Sequence, residues 1–332
     1  MDKIKFQELD IPIIRSCNLG CRGCLTFSDS KKIKGLVRLE ESKKWLKHWS
    51  TKLSPTNTNI FGGEPLLHPE FIEWCLYVGR LWPTSFLRIY TNGYYIPSVI
   101  ADEKTLKLFE SNGKKISFVV SIQTGHEPYY STVLDNIEKL KQYIVAIMRK
   151  RYRYTKVEWI PNPNHEENNV YFNWRLYIDQ NLKQIEISMC EQFKMPWQSH
   201  YTGYENTLKP HYEYDDGWYD ENHKNCQAKT YVNLYKGKLY KCPTSAVLEH
   251  TLNTFNLQDN KEWEPYITNY ESLDVTADDD HIIQWFRTQN RPEKICNMCG
   301  FSGPNNRKSK GQIGHLDRHE PKDNWILPIS SL

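Results

Sequence analysis

The chain has 332 residues, 43 basic against 40 acidic side chains for a net charge of +3, 39% hydrophobic residues and a mean hydropathy of −0.70. A balance this near neutrality argues against a nucleic-acid or membrane-surface partner; no apolar run approaches a membrane span, and the opening MDKIKFQELD lacks the apolar core of a secretion signal. The expectation is a soluble cytoplasmic protein, one α/β domain with a smaller appendage, whose nine cysteines serve metal binding and not disulfides.

Strand-like and helix-like stretches alternate from the start. Residues 9–16 read as a first strand, and Cys17-Asn18-Leu19-Gly20-Cys21-Arg22-Gly23-Cys24 follows its C-terminal end. Helices are expected over 39–49, 69–81, 97–111 and 132–149, the last with Val133, Ile137, Leu140, Ile144 and Ile147 at helical spacing. Strands are expected over 57–61, 85–91, 116–122, 156–160 and 184–189, with a further helix over 169–182. Six βα-like units imply a parallel sheet with right-handed crossovers. Ligands bind at the C-terminal strand ends of such sheets. The cysteine loop, Gly62 to Pro65, Thr91-Asn92-Gly93, Ser121-Ile122-Gln123, Asn162 and Ser188 all fall there. Residues 191–225 break the pattern with proline, glycine and aromatics such as Trp197, Tyr204 and Trp218, and read as a bridge to a second module. The basic cluster from Arg149 to Lys156 reads as a solvated helix end.

The cysteine loop carries the first chemical signal. Three thiols, spaced by three and then two residues, can converge on one metal centre. A structural zinc site uses four protein ligands, and so does a closed four-iron cluster. Three thiolates leave one iron with an open position for an outside ligand. A zinc knuckle with a distant fourth ligand, or three buried thiols, are the plainer alternatives. The second signal is Phe61-Gly62-Gly63-Glu64-Pro65 after an expected strand. Its glycines let a ligand approach the backbone closely, and Glu64 offers a carboxylate to a cationic group.

Together these motifs resemble the radical S-adenosylmethionine (SAM) enzymes. The resemblance implies a partial (β/α)6 barrel over residues 1–190, a [4Fe-4S] cluster held by Cys17, Cys21 and Cys24, and SAM on the open iron. It also implies that Gly62, Gly63 and Glu64 contact the methionine amino group, and that Asn92, Ser121 and Ser188 lie where polar groups touch the cofactor. One position departs from the pattern: Gly23 stands where the family usually has an aromatic residue near adenine.

A second cysteine set follows at Cys226, Cys242, Cys296 and Cys299. Residues 231–234 and 238–241 alternate about Lys236-Gly237 and read as a β-hairpin between the first two. By spacing, a zinc ribbon and a [4Fe-4S] site are both open. Beside the first resemblance, the set is similar to a twitch domain, the short form of the SPASM extension, which implies a second, auxiliary [4Fe-4S] cluster over residues 226–332. Cys75 lies in an apolar helix and reads as a packed core thiol. Cys190, at the end of the last expected strand, is a candidate hydrogen-atom donor, with a buried thiol as the plainer alternative.

The resemblance implies an oxidoreductase in which SAM is cleaved to a 5′-deoxyadenosyl radical that takes a hydrogen atom from a substrate C–H bond. An electron donor such as flavodoxin or ferredoxin would serve it. Only sixteen residues precede Cys17, which favours a dehydrogenase acting on a sugar, cyclitol or nucleoside-like small molecule. A peptide maturase or epimerase is the alternative. A zinc- or cluster-binding interaction protein is the non-enzymatic one.

Overall fold

A computed structural model describes residues 2–21, 24–30, 32–111, 115–151, 160–161, 171–178, 183–191, 201–202, 209–210, 219–224, 226–268 and 270–298. Strand β1 (Ile4–Ile14) leads through the cysteine loop to helix α1 (Leu39–Lys52). Strand β2 (Leu53–Gly62), helix α2 (Phe71–Leu81) and strand β3 (Phe86–Thr91) follow. Helices α3 (Ile96–Ala101) and α4 (Thr105–Ser111) then lead to strand β4 (Lys115–Ile122) and the long helix α5 (Tyr129–Arg151). Strands β5 (Ile160–Pro161), β6 (Tyr171–Ile178) and β7 (Lys183–Glu191) complete this half. Strands β8 (Tyr201–Thr202) and β9 (Lys209–Pro210) form a separate two-stranded ladder. The C-terminal part contains α6 (Tyr219–Lys224), β10 (Tyr231–Tyr235), β11 (Lys238–Tyr240), α7 (Pro243–Thr254), α8 (Glu264–Thr268) and α9 (Asp279–Arg287).

Nine strands form one sheet in the order β11-β10-β1-β2-β3-β4-β7-β6-β5. Six of them, β10, β1, β2, β3, β4 and β7, run parallel. Alternation along each strand separates two faces. Leu9, Ile11 and Ile13 of β1, Ile89 of β3, Phe118 and Val120 of β4 and Ile187 of β7 are buried. They share one apolar core with Leu46 and Trp49 of α1, Trp74 and Val78 of α2, and Val133, Leu140 and Ile144 of α5. Burying such side chains stabilises by roughly 1.5–3 kcal/mol each. The other face carries polar residues, among them Glu8, Asp10, Asn59, Arg88, Ser117 and Glu186.

Three expectations are corrected. Within the helix expected over 169–182, residues 171–178 form a strand instead: β6 runs antiparallel to β7, with Trp174 opposite Ile187 and Arg175 opposite Glu186. The run Tyr-Phe-Asn-Trp-Arg-Leu-Tyr-Ile is rich in aromatic side chains that fit a pleated surface, and Arg175 Nε donates to Glu186 across the pair at 2.6 Å. The six parallel strands are therefore not six successive βα units; the sixth, β10, comes from beyond the aromatic bridge and pairs with β1. The helix expected over 97–111 is two helices, because the Asp102 side chain accepts the Lys104 N–H at 2.8 Å and turns the backbone between them. The predicted hairpin about Lys236-Gly237 forms as β10 and β11. Residues 156–159 of an expected strand, Asn162, Trp197, Tyr204 and Trp218 lie outside the described residues.

Candidate active site

The C-terminal ends of β1, β2 and β3 are laced together. Gly63 N–H donates to the Ile14 carbonyl at 2.9 Å and Glu64 N–H to the Ser16 carbonyl at 3.0 Å, which fixes the Gly-Gly-Glu-Pro turn against the root of the cysteine loop. Only glycine fits there: a Cβ on Gly62 would stand 2.2 Å from the Ile14 oxygen, and one on Gly63 2.1 Å from the Ser16 oxygen. Gly62 also has φ +152°, which side chains rarely adopt.

Glu64 is fully buried. Its Oε1 accepts the Leu66 N–H at 3.0 Å and the Thr91 hydroxyl at 2.7 Å, and its Oε2 accepts the Asn92 N–H at 2.7 Å. Burial pushes its carboxyl up to about 7, against the downward pull of those three donors. Asn92 continues the chain of contacts. Its Nδ2 donates to Asn18 Oδ1 at 2.8 Å and stands 4.0 Å from Cys17 Sγ, while its carbonyl accepts the Tyr129 hydroxyl at 2.8 Å. The sequence placed Asn18 in the cysteine loop and Thr91 at a strand end without giving either a role of its own, and it missed Tyr129, which no motif marks.

Cys17, Cys21 and Cys24 are each half-buried. Cys17 Sγ accepts the Leu19 N–H at 3.4 Å, and Cys24 Sγ lies 3.3 Å from the Thr26 hydroxyl. Burial pushes the Cys17 and Cys24 thiols up, and the Glu64 carboxylate adds to the effect at Cys17. Among the described residues no three His, Cys, Asp or Glu side chains converge tightly enough to form a preset metal chelate. The chemistry of the donor set nonetheless fits an iron–sulfur cluster: three thiols on one short loop, with N–H and O–H groups at hand for their sulfurs. A bound metal deprotonates a coordinating thiol. Arg22 and Gly23 lie outside the described residues.

Further along the sheet, Ser121 of β4 is paired with Cys190 of β7, so the two share the polar face. Cys190 is buried. Ser188 sits two residues earlier on the same face, opposite Val119. Glu64, Asn92 and Cys17 thus form one hydrogen-bonded assembly at the ends of β1 to β3, and Ser121, Ser188 and Cys190 lie on β4 and β7. Cys75 is fully buried within α2.

A second cysteine site is built by the C-terminal part. Cys226, Cys242 and Cys296 line one pocket with His223, Lys241 and Tyr270. Burial pushes the Cys242 thiol up to about 11 and that of Cys296 up to about 12. Cys242 immediately precedes α7, whose Thr244 hydroxyl donates to the Leu25 carbonyl at 3.0 Å and so ties this part of the chain to the first cysteine loop. Cys299 lies outside the described residues. The three thiols in one pocket again fit a metal centre in donor chemistry.

Residues 11–155 match the Radical SAM superfamily. A curated relative, GTP 3′,8-cyclase of Microcystis aeruginosa (strain NIES-843 / IAM M-2473), is 32% identical over 136 residues, which is 40% of this chain and 39% of the relative. Among solved structures, BtrN in complex with AdoMet and 2-DOIA aligns over 81% of this chain and 87% of its own, at 13% identity and TM-score 0.39. SuiB of Streptococcus suis bound to S-adenosylmethionine aligns over 44% of this chain and 33% of its own, at 20% identity and TM-score 0.33. No helix of the described residues is long and apolar enough to cross a membrane.

Proposed function

We propose that the protein is a radical SAM oxidoreductase that binds a [4Fe-4S] cluster through Cys17, Cys21 and Cys24 and SAM beside Gly62, Gly63 and Asn92. The observation that carries the reading is the join between the cysteine loop and the Gly-Gly-Glu-Pro turn, through Gly63 N–H to Ile14 and Glu64 N–H to Ser16, within the segment that matches the superfamily. When bound, the cluster and SAM supply one-electron cleavage of the sulfonium and a 5′-deoxyadenosyl radical that removes a hydrogen atom from substrate.

The chain's own residues hold and orient. Glu64 has three protein donors on its carboxylate, so its main work is to fix the Thr91-Asn92 turn; the second acceptor position of Oε2 is the one that can face an ammonium group. Asn92 spans from that turn to the loop through Asn18. Ser121, Ser188 and Cys190 line the polar face as the wall of the reacting space. In the C-terminal part, residues 226–332, Cys226, Cys242, Cys296 and Cys299 hold an auxiliary [4Fe-4S] cluster, a twitch-like arrangement beside a partial (β/α)6 barrel formed by residues 1–190. An electron acceptor there favours a net two-electron oxidation of a small hydroxyl-bearing substrate, with reducing equivalents supplied by a flavodoxin- or ferredoxin-type donor in the cytoplasm.

The test is anaerobic reconstitution followed by reduction in the presence of SAM. 5′-Deoxyadenosine and methionine are expected from the wild type and absent from Cys17→Ala, Cys21→Ala and Cys24→Ala. A native protein that carries zinc, takes up no iron and leaves SAM intact would overturn the reading in favour of an interaction module.

A further inference from the structure

Across the sheet, Asn233 of β10, Asp10 of β1, Asn59 of β2, Arg88 of β3, Ser117 of β4 and Glu186 of β7 are successive Cα partners. Partners on neighbouring strands present their side chains to the same face. One level of the polar face is therefore a continuous row of six polar side chains. Burying such a row costs free energy wherever its donors and acceptors lack partners.

Their partners are unevenly shared. Glu8, two residues before Asp10, accepts from Asn57, Asn59 and Arg88. Glu186 takes Arg175. Asp10 accepts one hydrogen bond, from Asn59 Nδ2 at 2.6 Å, and forms no ion pair among the described residues. Asn233 has 0% of its surface exposed, and neither its Oδ1 nor its Nδ2 has a hydrogen-bond partner. Asn59 Oδ1 and Ser117 Oγ are buried and unpartnered as well. Asn233 is the direct strand partner of Asp10, so its unpartnered amide and the carboxylate share one spot. The row lies four residues below Ser121 and Cys190, about 13 Å from that level along the strands.

We propose that this row is the floor of the substrate site and that it binds a hydroxyl-bearing small molecule carrying an amine, with Asp10 receiving the ammonium group and Asn233, Asn59 and Ser117 receiving hydroxyls. The inference rests on the radical SAM reading for the direction from which substrate reacts; the binding chemistry stands on the row alone. Arg88 and Arg175 are already bonded to Glu8 and Glu186, so the carboxylate on this level without a hydrogen-bonded cation is Asp10. Ordered water would satisfy the three neutral groups, but it would leave Asp10 with only the charge of Arg88, whose hydrogen bond goes to Glu8. Burial holds the Asp10 carboxyl up at about 7, and a ligand ammonium would draw it into the ionised form.

The test compares D-glucosamine with D-glucose, a cyclic pair that differs by an ammonium in place of a hydroxyl. Binding to the full reconstituted chain with SAM is followed by saturation-transfer NMR near neutral pH. The wild type is expected to bind glucosamine about tenfold more tightly than glucose, the increment of one charge-assisted contact. Asp10→Asn should abolish that preference. Asn233→Ala should weaken both sugars, and it carries the test if Asp10→Asn does not fold. Equal binding of the two sugars, binding of neither, or affinities that Asn233→Ala leaves unchanged would overturn the proposal. Release of 5′-deoxyadenosine by the wild type in the same preparation separates the failures: SAM cleavage without the expected binding defeats this inference alone, and no cleavage defeats the radical SAM reading.

Discussion

The carboxylate of Glu64 and the backbone N–H of Asn92 are joined by a 2.7 Å hydrogen bond between the ends of adjacent parallel strands. Oε1 holds the Leu66 N–H of its own turn and the Thr91 hydroxyl of the next strand, and Oε2 holds the Asn92 N–H. Glu64→Gln offers one oxygen where two backbone N–H groups need acceptors. One of them is then left unsatisfied, at a cost of roughly 1–3 kcal/mol. Thermal unfolding of the variant should fall by several degrees, and SAM affinity measured on the folded fraction should fall with it. An unchanged melting temperature would show that the carboxylate does not brace this turn.

Gly63→Ala tests the close approach of the turn to the cysteine loop. The added Cβ would stand 2.1 Å from the Ser16 carbonyl oxygen, and backbone on both sides leaves no flexible neighbour to move. Destabilisation of about 3 kcal/mol or more is expected, with loss of iron from the first site. A variant that melts like wild type and keeps its iron would mean that the turn can shift freely from β1.

Stability should also depend on Asp10 as pH changes. Burial is the main cause of its raised carboxyl, to about 7, and the neighbouring Glu8 adds to it, against the hydrogen bond from Asn59 and the charge of Arg88. A raised carboxyl binds its proton more tightly in the folded chain, so its contribution is full below the ordinary aspartate range and is lost as pH rises through about 7. Relative to Asp10→Asn, wild type should therefore lose stability between about pH 4 and pH 8 in chemical denaturation. Parallel profiles for the two proteins would contradict the assignment.

Iron content distinguishes one centre from two. Reconstituted wild type should carry about eight irons per chain, and Cys242→Ser about four. Cys242→Ser should retain uncoupled SAM cleavage, because the first cysteine loop is untouched. Four irons in wild type, unchanged in Cys242→Ser, would remove the auxiliary cluster.

Cys190 and Ser121 share one paired position on the polar face. If the auxiliary centre accepts an electron from the substrate radical, the product is poorer by two hydrogens and Cys190→Ala retains turnover. If Cys190 donates a hydrogen atom, product formed in D2O gains deuterium at the attacked carbon, and Cys190→Ala loses that incorporation. Oxidation is expected.

The parallel strands and their C-terminal ends were legible because local signals agree there. Apolar alternation marks β3 and β4, and glycine or cysteine chemistry follows β1 and β2. Residues 171–178 were misread because aromatic side chains interrupted by polar ones satisfy helical and strand spacing alike, and only the pairing of Arg175 with Glu186 decides between them. The partnership of β10 with β1 is a tertiary choice, and local propensity carries no record of it. The polar row had a faint signature in Glu8 and Asp10 and in Asn57 and Asn59, each pair spaced by two within strand-like runs. Its meaning depends on register, which no single strand contains. The role of Glu64 was only half visible: the carboxylate was marked, but its three protein donors come partly from another strand.

The insertion of β10 beside β1 also bears on synthesis. As the chain leaves the ribosome, β1 can pair with β2 at once, while its other edge stays without a hydrogen-bonded neighbour until Tyr231 to Tyr235 have been made, more than two hundred residues later. At about 5–20 residues per second that is an interval of roughly 10–40 s. During it a nascent chain exposes a strand edge of the kind that recruits chaperones or pairs with other chains. This high contact order makes assembly slow and places the first cysteine loop, at the end of β1, among the last regions to acquire their final surroundings.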